Sequence, residues 1–192
     1  MADSLRGTAI ETPVGPLIAV ATERGLCALE FQRGRQLSPL PAHLRGRDPA
    51  AMRTAGARSH VDRTREWLER YFAGRFDDLE PPPLDVHGTP FELAVWREMR
   101  KVAIGSVSTY AALAARLGCP RGARAVGAAS GRNPVCIIIP CHRIVGSDGS
   151  LVGYGGGLET KRWLLQHEGA IPSLLPLARK SPPDATSWRG DP

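Results

Sequence analysis

Three consecutive prolines, Pro81-Pro82-Pro83, constrain this chain more than any other feature. Each removes a backbone donor and fixes φ, so neither a helix nor a central strand can run through them. They predict one domain over 1–84 and a second over 85–170, with a mobile tail at 171–192 where prolines recur without apolar periodicity. At 192 residues, each part is long enough to bury some core. A composition of 42% hydrophobic and 23% charged residues excludes a mostly disordered or fibrous chain. The longest apolar run, Val135 to Ile139, is far short of a bilayer span, and the N-terminus has no apolar signal-like stretch. No membrane partner is therefore expected. The four cysteines form no CxxC pair, which suits reduced thiols and a cytoplasmic location.

The N-terminal part reads as a small β-meander. Leu17 to Thr22 and Leu26 to Phe31 are apolar runs around Glu23-Arg24-Gly25, a hairpin pattern. Pro13-Val14-Gly15-Pro16 turns in an earlier strand near Thr8 to Thr12. Residues 32–59 show no period and read as mostly loop. Val61, Thr64, Leu68, Tyr71 and Phe72 then recur at helical spacing, with Gly74 placed as a C′ residue.

The C-terminal part is mainly helical, which makes the fold class α+β. Thr89-Pro90-Phe91-Glu92 has the pattern of a capped helix start, and Phe91, Val95, Met99 and Val102 share one face. Ser108 is placed to cap a helix from Thr109 to Leu117, closed by Gly118, and another helix runs from Arg121 to Ser130. A last helix spans Glu159 to His167, and Ser147-Asp148-Gly149-Ser150 suits the turn of a wing hairpin. The pair around Gly118 has helix-turn-helix proportions, with Leu113, Leu117 and Val126 as shared core, although any αα-hairpin would look alike. Its second helix is unusual for reading base edges, since Ala and Gly dominate and only Arg124 is long. Small residues let a backbone approach a sugar–phosphate groove, or equally another helix. Residues 85–170 carry 10 Lys/Arg against 6 Asp/Glu, an excess that can face a polyanion.

Cys141 differs from Cys27, Cys119 and Cys136, which read as small buried hydrophobes. His142 and Arg143 follow it at once, and a positive environment lowers a thiol pKa. Adjacent side chains in an extended segment point apart, so a water would relay the proton between Cys141 and His142. Glu168 is the candidate to orient the imidazole. On spacing alone, a catalytic and a structural cysteine are equally good readings. Gly153-Tyr154-Gly155-Gly156-Gly157 could admit a planar ligand beside Tyr154; it lacks the ending of a phosphate-binding loop.

Ile139-Pro140-Cys141-His142-Arg143-Ile144-Val145 resembles the active-site signature of the O6-alkylguanine-DNA alkyltransferases. The similarity extends to Gly88-Thr89-Pro90-Phe91, Val107-Ser108-Thr109-Tyr110, Ala123-Arg124-Ala125-Val126-Gly127, Arg132-Asn133-Pro134, Gly153 to Leu158 and Lys161 to Gly169, nearly all of 85–170. The resemblance implies an N-terminal ribonuclease-H-like domain with a three-stranded antiparallel sheet and a C-terminal winged helix-turn-helix domain. It implies binding of double-stranded DNA through the minor groove by a monomer, with cooperative binding left open. An alkylated guanine is flipped out, as a stacked base cannot present its O6 carbon to a buried thiol. Cys141 takes the alkyl group from O6-alkylguanine, and from O4-alkylthymine, once and irreversibly.

By the same resemblance, His142 is a water-mediated base oriented by Glu168, Asn133 holds the segment and the cysteine, and Tyr110 bonds the leaving guanine. Arg124 fills the vacated stack, and Ser108, Tyr110, Ala123, Ala125, Gly127 and Arg132 meet DNA. Tyr154, Val145, Gly155, Gly156 and Pro140 line the base pocket. Ala111, Arg132 and Gly155 depart from common members, which bears on DNA affinity and on tolerance of bulky groups. Some members carry zinc in the N-terminal domain; Cys27, His43, His60 and His87 lack ligand spacing, so no metal and no cofactor is expected.

Overall fold

The computed structural model describes residues 7–32 and 54–172. His43, the expected loop over 33–53 and the expected mobile tail from 173 onward lie outside the described residues. Strands β1 (Thr8–Ile10), β2 (Leu17–Thr22) and β3 (Gly25–Phe31) form an antiparallel sheet in chain order. Leu17 pairs with Phe31 and Ile18 with Glu30. Helix α1 (Ala55–Phe72) packs on β2 and β3. It begins earlier than the loop reading of 32–59 allowed, because Thr54 accepts from Ala57 N–H and caps it. It ends as expected: Gly74, at φ +70, donates to Tyr71 O, and Arg75 N–H returns to Arg70 O.

The proline run links the halves but does not hang free. Leu26 N–H donates to Pro83 O, and Asp85 N–H donates to Leu26 O. The same edge of β3 continues onto the C-terminal half, where Leu29 N–H donates to Pro134 O and Cys136 N–H to Leu29 O. An edge that would otherwise be open is thereby covered on both sides of Leu26–Leu29, and the sheet is tied to the reactive segment.

Helix α2 (Pro90–Arg100) has the full capping box expected of Thr89 and Glu92. Its buried face carries Val95, Trp96 and Met99, with Val102 beyond the end; Phe91 is 37% exposed, and Trp96 instead reaches inward to donate to Ala129 O. Strand β4 (Ser108–Thr109) leads into α3 (Tyr110–Arg116). Thr109, not Ser108, caps α3, since its extended backbone places Oγ1 to accept from Ala112 N–H, while Ser108 Oγ accepts from Arg116. Helix α4 (Ala123–Gly131) crosses α3 over buried Leu113, Ala114 and Val126. After it come a single 3-10 turn (Cys141–Arg143), β5 (Ile144–Val145) and α5 (Leu158–His167). The turn at 147–150 closes through Gly146 N–H to Ser150 O, but β5 pairs in parallel with β4 rather than across that turn. The wing is therefore a closed loop, not a strand pair.

Candidate active site

The segment between Cys136 and Cys141 is tightly turned, and the Cys141–His142 step, expected to be extended, lies instead in the 3-10 turn Cys141–Arg143. Ile138 N–H donates to Cys136 O around Ile137, which sits at φ +69, and Cys141 N–H donates to Ile139 O around Pro140. A β-branched residue in that region costs on the order of 1–3 kcal/mol, so the surroundings must enforce it. Asn133 supplies much of that restraint. Its Oδ1 accepts from Val135 N–H at 3.0 Å, and its Nδ2 donates to Ile139 O at 2.7 Å and to Cys141 Sγ at 3.3 Å. One amide thus shapes the loop and aims a donor at the sulfur.

Behind Cys141 lies a buried network centred on Glu168, the residue that follows α5. His142 Nε2 faces Oε1 at 2.9 Å, Arg143 donates to Oε2 through Nε and to Oε1 through Nη2, both at 2.8 Å, and Tyr71 Oη donates to Oε1 at 2.6 Å. Arg143 Nη1 also donates to Val102 O at 2.7 Å. Burial pushes the Glu168 carboxyl up, but the bonds from His142 and Arg143 outweigh it and hold its pKa at about 2. Burial lowers the His142 pKa below its usual 6.5 despite Glu168, so the imidazole is neutral at pH 7 and able to accept a proton.

The thiol itself contradicts the expectation of a lowered pKa. Burial raises the Cys141 pKa above 9.0, and the Asn133 bond and the Lys161 charge offset this only in part. Arg143 cannot help, because its guanidinium is engaged by Glu168. The sulfur therefore rests as a thiol and needs a base rather than a standing positive field.

Cys141 opens onto a cavity of about 440 Å³. Tyr110, Asn133, Gly127, Ser130 and Cys136 line one part, and Gly153 to Gly156 another. Tyr154, Gly155 and Gly156 are thus placed as the sequence suggested. Val145 and Pro140 are not on the cavity wall: Val145 is buried against Thr109 in the β4–β5 pair, and Pro140 turns the chain into Cys141. Ala123, Arg124, Ala125 and Gly127 share α4, with Arg124 and Ala125 exposed. Arg132 pairs with Glu92 of the capping box. Ser108 lies at the start of the same motif, half-buried.

Several site residues were not singled out from sequence. Glu30 and Phe31 of β3 line the cavity, and the Phe31 ring meets Tyr154 edge-on at 5.7 Å. Lys161, fully buried, donates through Nζ to Ile144 O at 2.6 Å and Val152 O at 2.7 Å, which fixes the glycine-rich loop; its burial lowers its pKa to about 8. Arg143 was read as a field on Cys141 and Tyr71 only as a helix-end residue. A lysine on the apolar face of the last helix was a readable signal; the long-range partners of Tyr71 and Phe31 were not. Among the described residues, no group of three His, Cys, Asp or Glu could hold a metal ion, and no helix is long and apolar enough to cross a membrane.

A helix-turn-helix beside a cavity with room for a nucleobase, with a thiol in its wall and a neutral imidazole on the next residue, fits a group-transfer protein that acts on a nucleic acid. Comparison with known proteins gives the class its name. The chain matches the ribonuclease-like domain of 6-O-methylguanine DNA methyltransferase over residues 5–86 and the DNA binding domain of the same protein over 90–170. It is 40% identical to the methylated-DNA–protein-cysteine methyltransferase of Shigella flexneri, over 84% of this chain and 94% of that protein. The Salmonella typhimurium protein of the same name is 42% identical over the same shares. The crystal structure of Mycobacterium tuberculosis OGT in complex with DNA superposes with a TM-score of 0.67 at 35% identity, covering 84% of this chain and 91% of that one. The chain belongs to the 6-O-methylguanine DNA methyltransferase family.

Proposed function

We propose that Cys141 accepts an alkyl group from O6-alkylguanine in DNA and keeps it. Direct-reversal repair by alkyl transfer to a cysteine is the activity of the family to which the chain belongs. The observation that carries the assignment to Cys141 is its placement: it faces the cavity, has Asn133 Nδ2 on its sulfur, and is followed by a buried His142 locked to Glu168.

In this reading the helix-turn-helix docks on the minor groove of a duplex, the small residues of α4 allow close approach, and exposed Arg124 occupies the space left by the flipped nucleotide. Tyr110, Tyr154 and the glycine loop receive the base. His142 takes the thiol proton through a water. The S–C bond forms as the C–O6 bond breaks, the electron pair stays on the purine, and a proton returned to the ring restores guanine. Tyr110, whose hydroxyl is held un-ionised by burial, can donate to the departing base. The thioether has no leaving group for water to displace, so each molecule acts once. Such an acceptor must stay reduced, which suits a cytoplasmic setting; all four cysteines are free.

Incubation with duplex carrying radiolabelled O6-methylguanine tests this. One equivalent of label should become protein-bound and then stop, and Cys141→Ala should bind the duplex yet take no label. Continued release of labelled product, or full labelling of folded Cys141→Ala, would overturn it.

A further inference from the structure

Tyr71 sits in the last turn of α1, 97 residues from Glu168, yet its hydroxyl meets that carboxylate at 2.6 Å. The oxygen it touches, Oε1, is the one that faces His142 and also accepts from Arg143 Nη2. Three donors therefore share one oxygen. The tyrosine is fixed on every side: it is fully buried, stacks on Trp67 at 5.2 Å, meets the rings of Phe72, Phe76 and His167, and its carbonyl faces His167 Nε2 at 2.8 Å. Burial and then the Glu168 charge raise its pKa well above 10.0, so it stays a donor.

We propose that Tyr71 is a positioning residue that, through Glu168 Oε1, sets how strongly His142 holds a proton. A carboxylate oxygen that accepts a short bond from a hydroxyl has less charge to offer an imidazolium. Tyr71 and Arg143 together keep Glu168 oriented while leaving the imidazole neutral, ready for the thiol proton. The groups that face His142 are Glu168 and Lys161 from the α5 region, Arg143 on its own turn, Tyr154 from the glycine loop with ring centroids 6.3 Å apart, and Tyr71 from α1 by way of Glu168. Of these, Tyr71 is the one from the N-terminal half, which gives that half a part in the chemistry. The inference rests on the reading of His142 as the base for Cys141.

Tyr71→Phe keeps the ring and its stacking and removes only the hydroxyl. Two measurements read it: the NMR titration of the His142 imidazole in the free protein, and the single-turnover rate of methyl transfer against pH. The His142 pKa is expected to rise by about half to one unit, and the acid limb of the rate to rise with it. On the acid limb, well below the parent His142 pKa, transfer should slow about three- to tenfold relative to the parent, with less than about twofold change at pH 8. Folded Tyr71→Phe with an unmoved titration and acid limb, whatever its Tm, would overturn the proposal. If Tyr71→Phe does not fold, 3,5-difluorotyrosine at 71, a stronger donor of nearly the same shape, should move the titration downward; no movement overturns the proposal. A shifted His142 titration in protein whose Cys141 takes no alkyl group would leave the Tyr71 effect standing and sink the reading of Cys141.

Discussion

Asn133 holds the reactive loop at three points, and its side chain is the largest of the influences that offset burial at the Cys141 thiol. Asn133→Ala should therefore raise the thiol pKa further, slow its alkylation by iodoacetamide about tenfold at neutral pH, and cost about 1–3 kcal/mol of stability. Rates equal to the parent across pH 6–9 would show that the amide does not act on the sulfur. Glu168→Gln poses a different problem. It leaves the Arg143 guanidinium, only 7% exposed, without its charged partner. Breaking such a buried pair costs about 3–5 kcal/mol, so thermal melting should fall steeply, and more than for His142→Ala. These two residues have separate duties: one governs the nucleophile, the other the integrity of the base and the domain contact.

At the scale of elements, β3 and the glycine loop meet inside the cavity. A Cβ at Gly156 would lie 2.7 Å from the Phe31 ring, and the backbone there is not left-handed, so the obstacle is the ring alone. Gly156→Ala should fold, push Phe31 into the cavity region, and slow transfer of a benzyl group more than transfer of a methyl group. Phe31→Leu in the same chain should restore much of the benzyl rate. Single-turnover rates for the two lesions check this, and equal slowing of both would refute Phe31 as a wall of the base site. The hairpin, the Thr89 capping box and the Gly74 helix end were legible because each is set by residues close in sequence. The start of α1 was missed because Thr54 stands in an Arg- and Ala-rich stretch without apolar period. Cys141, His142, Glu168 and Asn133 could be named from a motif, but their electrostatics could not. The direction of the thiol shift depends on burial and on where Arg143 points, and both are decided by elements far apart in the chain. Phe31 and Tyr71 entered the site for the same reason, through packing of one half on the other.

For the whole molecule, the two halves share a continuous core, a hydrogen-bonded strand edge and the Tyr71–Glu168 contact. They should unfold together. Acid should weaken that joint in a defined window. Both His142 and Glu168 have lowered pKa values in the fold, so the unfolded chain binds more protons as pH falls. Their contribution is complete above the unfolded His value, starts to fall below pH 6.5, and falls further from 4.5 toward about 2 as Glu168 protonates. Urea midpoints measured between pH 7.5 and 4 should decline, and Tyr71→Phe should reduce the acid dependence along with the stability. A flat midpoint over that range would mean the network is not what joins the halves.

Two thiols, Cys136 and Cys141, line the same cavity, and only Cys141 accepts from Asn133 Nδ2 and is followed directly by His142. Peptide mapping by mass spectrometry after one equivalent of O6-methylguanine duplex separates them directly. A single added methyl, about 14 Da, on Cys141 with Cys136 unmodified is the expected result. Methyl on Cys136, or on neither sulfur of folded protein that has consumed the lesion, would contradict it.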